Sequence, residues 1–374
     1  MRGAKYPWMD FVRGVSALLV CANHLRAAMF VDYSEIGQAS LLVRFFYFIT
    51  GLGAQSVVVF FVLSGFFVGG SVIKRWECFS FRDYLLARVT RLWVVLIPAL
   101  AATFIIDRFT VGLFPDVFSG AAFDQINSGP NGGYSDSFAT LVANLCFLQT
   151  VSAPVFGSNG PLWSLSNEFW YYICFPLLCL VFDRRATTPG RVLAAAVVTA
   201  LCLLTMQGKL LGFLVWIIGA GVYWLSNRQY QLPRYFLAVA LPVFVTALVL
   251  SKLRILPGAL DMIVLGICSG LLIVGLRLAP RMPRLLATTT EFLSRASYSL
   301  YLVHFPFVLL MYAGLFRTTQ AILGIGSLLM YIGLLSILVI VSQFFWMLFE
   351  RNTDTVKANL SSILSRIWPS SVPR

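Results

Sequence analysis

A chain of 374 residues that is 59% hydrophobic and only 11% charged, with a mean hydropathy of +0.83, is too apolar for water, since soluble proteins carry roughly a quarter of their residues as Asp, Glu, Lys and Arg. It reads as an integral membrane protein whose length fits one helical bundle, with spans of about 20 residues, better than several soluble domains. The net charge of +13 would suggest nucleic acid in a soluble protein, but membrane sidedness accounts for it here and no nucleic-acid partner is expected.

Apolar runs long enough to cross a bilayer fall at 12–30, 54–73, 85–106, 164–183, 191–206, 210–226, 235–251, 259–278, 297–316 and 322–349. They predict an all-α transmembrane bundle of about ten spans. With the N-terminus in the cytoplasm, that side gathers Arg2, Lys5, Arg13, the basic block 74–91, Arg184, Arg185, Arg191, Arg228, Arg234, Arg277, Arg281, Arg284, Arg295 and the C-terminal set. The other side keeps Arg26, Arg44, Arg108, Lys209, Lys252, Arg254 and Arg317. This bias follows the positive-inside rule and puts both termini in the cytoplasm.

The polar loop 107–137, with Asp107, Asp116, Asp124 and Asp136, should lie outside. The apolar stretches 41–50 and 138–150 are short for spans and read as interfacial or re-entrant. Arg13, Asn23, His24 and Arg26 interrupt the first run, which lacks a clean cleavage site, so it reads as a retained helix rather than a signal peptide. Seven cysteines without a C-x-x-C pair argue for neither a disulfide framework nor zinc, and no metal is expected. No internal repeat is visible, which weakens the case for an inverted-repeat transporter.

Ionisable side chains inside spans are costly and face a bundle interior or a wet cavity. Arg13 and His24 are eleven residues apart, three helical turns, and share one face about 16 Å from end to end. A phosphate-bearing donor entering from the cytoplasm would meet the arginine fork first and present its far end to the imidazole. The plainer alternative is an arginine anchored at the headgroups and a histidine bonded to a neighbouring helix.

Three more clusters stand out. The stretch from Gly160 to Glu168 brings one carboxylate to the polar interior; Glu168 reads either as a partner of His24 or of a sugar hydroxyl, or as a helix-start acid with Ser164 or Ser166 as cap. Ser297, Tyr301 and His304 follow i, i+4, i+7 spacing and line one inward face, while Tyr298 fits an interfacial aromatic belt. Arg88 and Arg91 enter the third span on one face, either for topology or to grip a nucleotide phosphate.

These motifs, in order, resemble the membrane-bound acyltransferase family 3: Arg13-x10-His24, the run from Phe60 through Ser64 to Phe67, Arg88-x-x-Arg91, the run from Pro161 through Trp163 to Glu168, and the run from Ser297 through Tyr301 to His304. The resemblance implies a multi-pass enzyme of the bacterial inner membrane. It would take an acyl group, commonly acetyl, from cytoplasmic acyl-CoA and pass it to a hydroxyl of a carbohydrate or lipid-linked glycan. Arg13 and His24 would be the family's essential pair, with Glu168 beside them, and Arg13, Arg88 and Arg91 the donor-binding residues. Asn23, Ser64, Trp163, Tyr301 and His304 would serve substrate or oxyanion. Many members carry a second acid after the position of Glu168, where this chain has Phe169. The bundle is expected over 1–350 and a cytoplasmic tail over 351–374, which leaves no residues for the extra esterase-like domain of some members.

The expected chemistry is general-base removal of the acceptor proton by His24, with Glu168 orienting the imidazole or holding the acceptor and Tyr301 or His304 stabilising the oxyanion. A covalent acyl-histidine is the alternative route. A glycan transporter or flippase, or a binding scaffold, would use similar intramembrane charges. The enzyme reading asks that Arg13 and His24 look into one hydrated tunnel.

Overall fold

The computed structural model describes residues 6–118, 134–205, 209–228, 233, 235–317 and 319–367. Asp124, Arg2, Lys5, Arg234 and the end of the tail lie outside them. Among the described residues the chain is all-α, without a β-strand. The helices are α1 (Pro7–Met29), α2 (Leu41–Thr50), α3 (Gly53–Ser64), α4 (Gly70–Lys74), α5 (Phe81–Leu113), α6 (Phe138–Leu145), α7 (Leu162–Phe182), α8 (Thr188–Thr205), α9 (Leu210–Ser226), α10 (Phe236–Lys252), α11 (Gly258–Arg277), α12 (Arg284–Arg295), α13 (Ser297–Leu315), α14 (Ile325–Leu348) and α15 (Thr353–Ile367).

A helix lies at each of the ten predicted runs. Seven stretches among the described residues are long and apolar enough to cross a membrane; α9 and α10 are apolar but shorter. The first helix falls outside those seven; it carries Asp10, Arg13 and Arg26. The chain is a multi-pass membrane protein. Helix α1 sits centrally, packed on α3, α12 and α13; α3 leans on α9 and α11, while α13 reaches α5 and α14.

The closest helix approach is made by glycine. Between α3 and α4 the chain winds as a single π-helical stretch, Gly65–Gly69, against α9. A Cβ on Gly65 would stand 1.8 Å from the Trp216 carbonyl oxygen, and one on Gly219 2.0 Å from that of Val62. Both contacts are with backbone, which cannot swing away. This contact brings Trp216 Nε1 within 3.0 Å of Ser64 Oγ, which accepts its hydrogen bond; π-bulges of this kind are frequent at functional sites.

The 138–150 stretch runs alongside α5, from the level of Arg108 toward that of Trp93. One end is held near Asp107, whose carboxylate accepts from Ser158 N and Oγ, both at 2.7 Å, and near Arg108, which pairs with Asp136 at 2.8 Å. At the other end Trp93 Nε1 donates to the Leu145 carbonyl at 2.9 Å. Trp93 lies fourteen residues, roughly 21 Å, from Asp107 along α5. The chain turns back through Phe147 and Thr150, both at positive φ, and Lys209 Nζ holds the Thr150 carbonyl at 2.7 Å. Burial pushes the Lys209 ammonium down to about 8.

Two prolines prepare the remaining anchors. Proline has no N–H, so the carbonyl four residues before it lacks its helical partner. Pro306 frees the Leu302 carbonyl, which accepts from Asn159 Nδ2 at 2.8 Å, and Pro176 frees that of Tyr172, which accepts from Tyr84 Oη at 3.1 Å. The hairpin is thereby tied to α13 and α5 to α7. By contrast, α2 leaves Leu41, Leu42 and Phe45 exposed while burying Tyr47, the pattern of an amphipathic surface helix.

Gly65→Ala should lower the melting temperature of the detergent-solubilised protein, by an overpacking cost of about 1–3 kcal/mol. Gly221→Ala, whose Cβ would meet nothing within 4 Å, should leave it unchanged. Equal melting curves for the two would refute the close-approach argument.

Candidate functional site

Helices α1 and α13 cross so that His24 and His304 meet. His24 Nδ1 and His304 Nε2 are 2.7 Å apart, the rings are nearly parallel with centroids at 5.0 Å, and Phe305 closes on His24 edge-on at 5.2 Å. His304 Nδ1 lies 2.9 Å from the Leu300 carbonyl oxygen, which can only accept, so that nitrogen carries a proton. In the neutral pair His304 Nε2 must then accept from His24 Nδ1–H, and the His24 lone pair falls on Nε2. This is the tautomer a general base requires.

The geometry corrects two expected roles. Both nitrogens of His304 are engaged, with His24 and with the Leu300 carbonyl, and its side chain is almost wholly buried, so in this arrangement neither is left to donate to a substrate or oxyanion. Glu168 is committed elsewhere: Oε1 accepts from Ser64 Oγ and, at 2.5 Å, from Tyr172 Oη. Nor is Glu168 a helix-start acid. Helix α7 begins at Leu162 without a side-chain cap, Ser164 Oγ bonds Tyr301 Oη at 2.6 Å, and Ser166 Oγ donates to the Phe147 carbonyl.

Beside this pair lies a cavity of about 220 Å³. Arg13, Arg88 and Arg91 line it, together with Glu168, Ser64, Tyr298 and Tyr301. Each flanking acid holds one arginine: Asp10 Oδ1 is 2.8 Å from Arg13 Nη2, and Glu350 Oε1 is 3.4 Å from Arg91 Nη2. Arg88 lies over the Tyr84 ring at 5.8 Å, and its Nε and that of Arg13 are buried without a hydrogen-bond partner among the described residues. Guanidinium N–H groups left open in this way suit phosphate oxygens. Tyr298 lines the cavity and hydrogen-bonds the Leu92 carbonyl, so it is not a belt residue.

The single tunnel expected from the Arg13–His24 stripe is not formed. The cavity includes Arg13 but neither histidine. Tyr301 lines it on one side and packs 6.1 Å from the His304 ring on the other, with Phe60 edge-on to Tyr301 at 5.8 Å. These two rings stand between the arginines and the imidazoles. Trp163 packs edge-on to Phe61, itself a lining residue, without lining the cavity, and Asn23 lies against Gly53.

Asp10, Tyr172, Trp216 and Glu350 escaped the sequence reading. Asp10 is three residues before Arg13 and could have been found by helical spacing. Glu350, just beyond the last apolar run, carries no periodic signal, yet it is buried and its Oε2 accepts from Ser299 N at 3.2 Å and Ser299 Oγ at 2.7 Å. No group of three or more His, Cys, Asp or Glu side chains able to hold a metal occurs among the described residues.

Residues 6–347, nearly the whole chain, match the acyltransferase domain of acyltransferase family 3. The chain belongs to that family. It is 32% identical over 179 residues to the acyltransferase MdmB of Streptomyces mycarofaciens, covering 47% of this chain and 40% of that protein. It is 25% identical over 170 residues to the O-acetyl transferase of Shigella phage Sf6, covering 44% and 43%. The chain thus spans about two fifths of the length of these curated relatives. No solved structure matches it. Family membership, and not a continuous tunnel, carries the acyltransferase assignment.

Glu350 ties Arg91 to the start of α13, so Glu350→Gln, which keeps an acceptor for Ser299 but removes the charge, should weaken binding of a phosphate-bearing probe such as coenzyme A by about tenfold, the worth of one charge-assisted hydrogen bond. Its melting temperature should stay near the parent's, whereas Glu350→Ala should melt earlier. Unchanged binding in both variants would show that Glu350 does not shape the arginine cavity.

Proposed function

We propose that this protein is a membrane O-acyltransferase that moves an acyl group, acetyl as first candidate, from cytoplasmic acyl-CoA to a hydroxyl of a cell-envelope or secreted carbohydrate. In this reading the bundle crosses a bacterial cytoplasmic membrane ten times with both termini inside. Family membership gives the reaction class, and the observation that carries the mechanism proposed within it is the pairing of a three-arginine cavity with a histidine whose tautomer is fixed by a second histidine. The names of the two relatives, an acyltransferase and an O-acetyl transferase, support the same reaction class.

The arginine end of the cavity takes the phosphates of the donor. At about 220 Å³ the cavity is smaller than most ligand pockets, which run from about 300 to 1,000 Å³; it suits the narrow acyl-bearing arm, with the nucleotide outside. The acyl carbonyl travels toward Tyr301, which turns aside to join the cavity to His24. The acceptor oxygen then attacks the thioester carbon, a C–O bond forms as the C–S bond breaks, and the hydroxyl proton passes to His24 Nε2. The same proton leaves with the thiolate, so the enzyme returns to its starting state. His304 steadies the imidazole through both steps, and Glu168, held by Ser64 and Tyr172, shapes the cavity wall that receives the arm.

His24→Ala should lower kcat by about 10²- to 10⁴-fold, the usual contribution of a general base, with KM for acetyl-CoA little changed and the protein still folded. His304→Phe should lower kcat less, since it removes only the partner that fixes the tautomer. Retained turnover in His24→Ala would overturn the mechanism. Labelled acyl group trapped on His24 in the absence of acceptor would replace direct transfer with the covalent route.

A further inference from the structure

The outer end of α1 carries a polar constellation that the arginine cavity does not reach. Arg26 lies thirteen residues beyond Arg13, roughly 20 Å along the axis, and just past His24. Its guanidinium sits 5.2 Å from the Tyr47 ring, and its Nε is buried without a hydrogen-bond partner among the described residues. Across from it, the start of α3 meets the end of α10. Lys252 Nζ donates to the Gly51 carbonyl at 2.7 Å, Asn23 fits against Gly53 where a Cβ would stand 2.9 Å away, and Gln55 Nε2 donates to Ser251 Oγ at 3.2 Å. Ser251 Oγ in turn donates to Asp261 Oδ2 at 2.8 Å. Gln55 Oε1 and Asp261 Oδ1 are buried and unpartnered.

Buried polar atoms are normally satisfied, and each exception calls for an explanation. Here one donor and two acceptors are left open on neighbouring helices: Arg26 is two residues past His24 and within electrostatic reach of Lys252, whose chain neighbour Ser251 bonds both Gln55 and Asp261. Their charges also balance: Arg26 and Arg254 stand within electrostatic reach of Lys252, against Asp32, Glu35 beside Tyr47, and Asp261 through Ser251. A phosphate or carboxylate would find no net positive field. A sugar hydroxyl both donates and accepts, so a polyhydroxylated ring has the groups to answer acceptors such as Gln55 Oε1 and Asp261 Oδ1 and a donor such as Arg26 Nε. Tyr33, exposed and 5.5 Å from Tyr47, offers an aromatic face for the apolar side of such a ring.

We propose that Asn23, Arg26, Gln55 and Asp261 form the acceptor site, and that it takes an uncharged carbohydrate with one hydroxyl directed at His24. The assignment rests on the acyltransferase reading. It is tested with the full chain in detergent, labelled acetyl-CoA as donor, and methyl glucoside and methyl glucuronide as acceptor probes. Asp261→Asn and Gln55→Leu should each raise the KM for methyl glucoside by about tenfold, the loss of a hydrogen bond to a charged or buried partner, while the KM for acetyl-CoA and the melting temperature hold. An unchanged sugar KM, a rise in the donor KM alone, or preferred use of the glucuronide would each overturn the proposal. Absence of any turnover of acetyl-CoA, with or without sugar, would instead defeat the acyltransferase reading itself.

Discussion

The hydrogen bond between His24 and His304 is the constraint around which this bundle is arranged. Imidazoles buried among apolar helices must find partners, since an unsatisfied polar group there has no water to fall back on. At 2.7 Å each ring satisfies the other, and the Leu300 carbonyl fixes which nitrogen holds each proton. One bond thus locks α1 against α13 and sets the protonation pattern of His24. Stability and chemistry are served by the same atoms, so a change to either histidine disturbs both.

Around that bond the molecule separates its charges. The arginines 13, 88 and 91 gather at one end, while the balanced group around Arg26, Lys252 and Asp261 occupies the other. Helix α1 carries a residue of each set, Arg13 and Arg26, with His24 between them; a long anionic donor and a neutral acceptor, as proposed above, would ask for such a division. The same spacing explains why the three helical turns of α1 hold so many polar groups in a chain otherwise poor in charge.

Much of this was legible in the chain. The ten apolar runs each became a helix, and the eleven-residue step from Arg13 to His24 and the face of Ser297, Tyr301 and His304 came out as helical geometry requires. What periodicity could not supply was the partner of each polar group. Whether Glu168 would meet His24 or Ser64 depends on how closely α3 approaches α9, and that is set by Gly65 and Gly219 against backbone oxygens. The joint tunnel failed for the same reason, because Phe60 and Tyr301 come from different helices and close on each other only after packing. The 138–150 stretch was ambiguous because its length fits both a surface helix and a descending arm.

Prolines were the signal left unread. Pro306 and Pro176 each release a carbonyl one turn earlier, and in both cases a side chain from another segment claims it. The Leu302 carbonyl is the consequential one. Asn159 fastens the hairpin there, one residue beyond Tyr301, while Ser164, just after the hairpin, bonds the Tyr301 hydroxyl. The ring that divides the arginine cavity from the histidine pair is therefore gripped on two sides by the same excursion of chain. Any turn of Tyr301 that joined the two chambers would have to break the Ser164 bond first. The division between the arginine cavity and the histidine pair thus depends on the hairpin's hold on α13, and not on the size of a side chain alone.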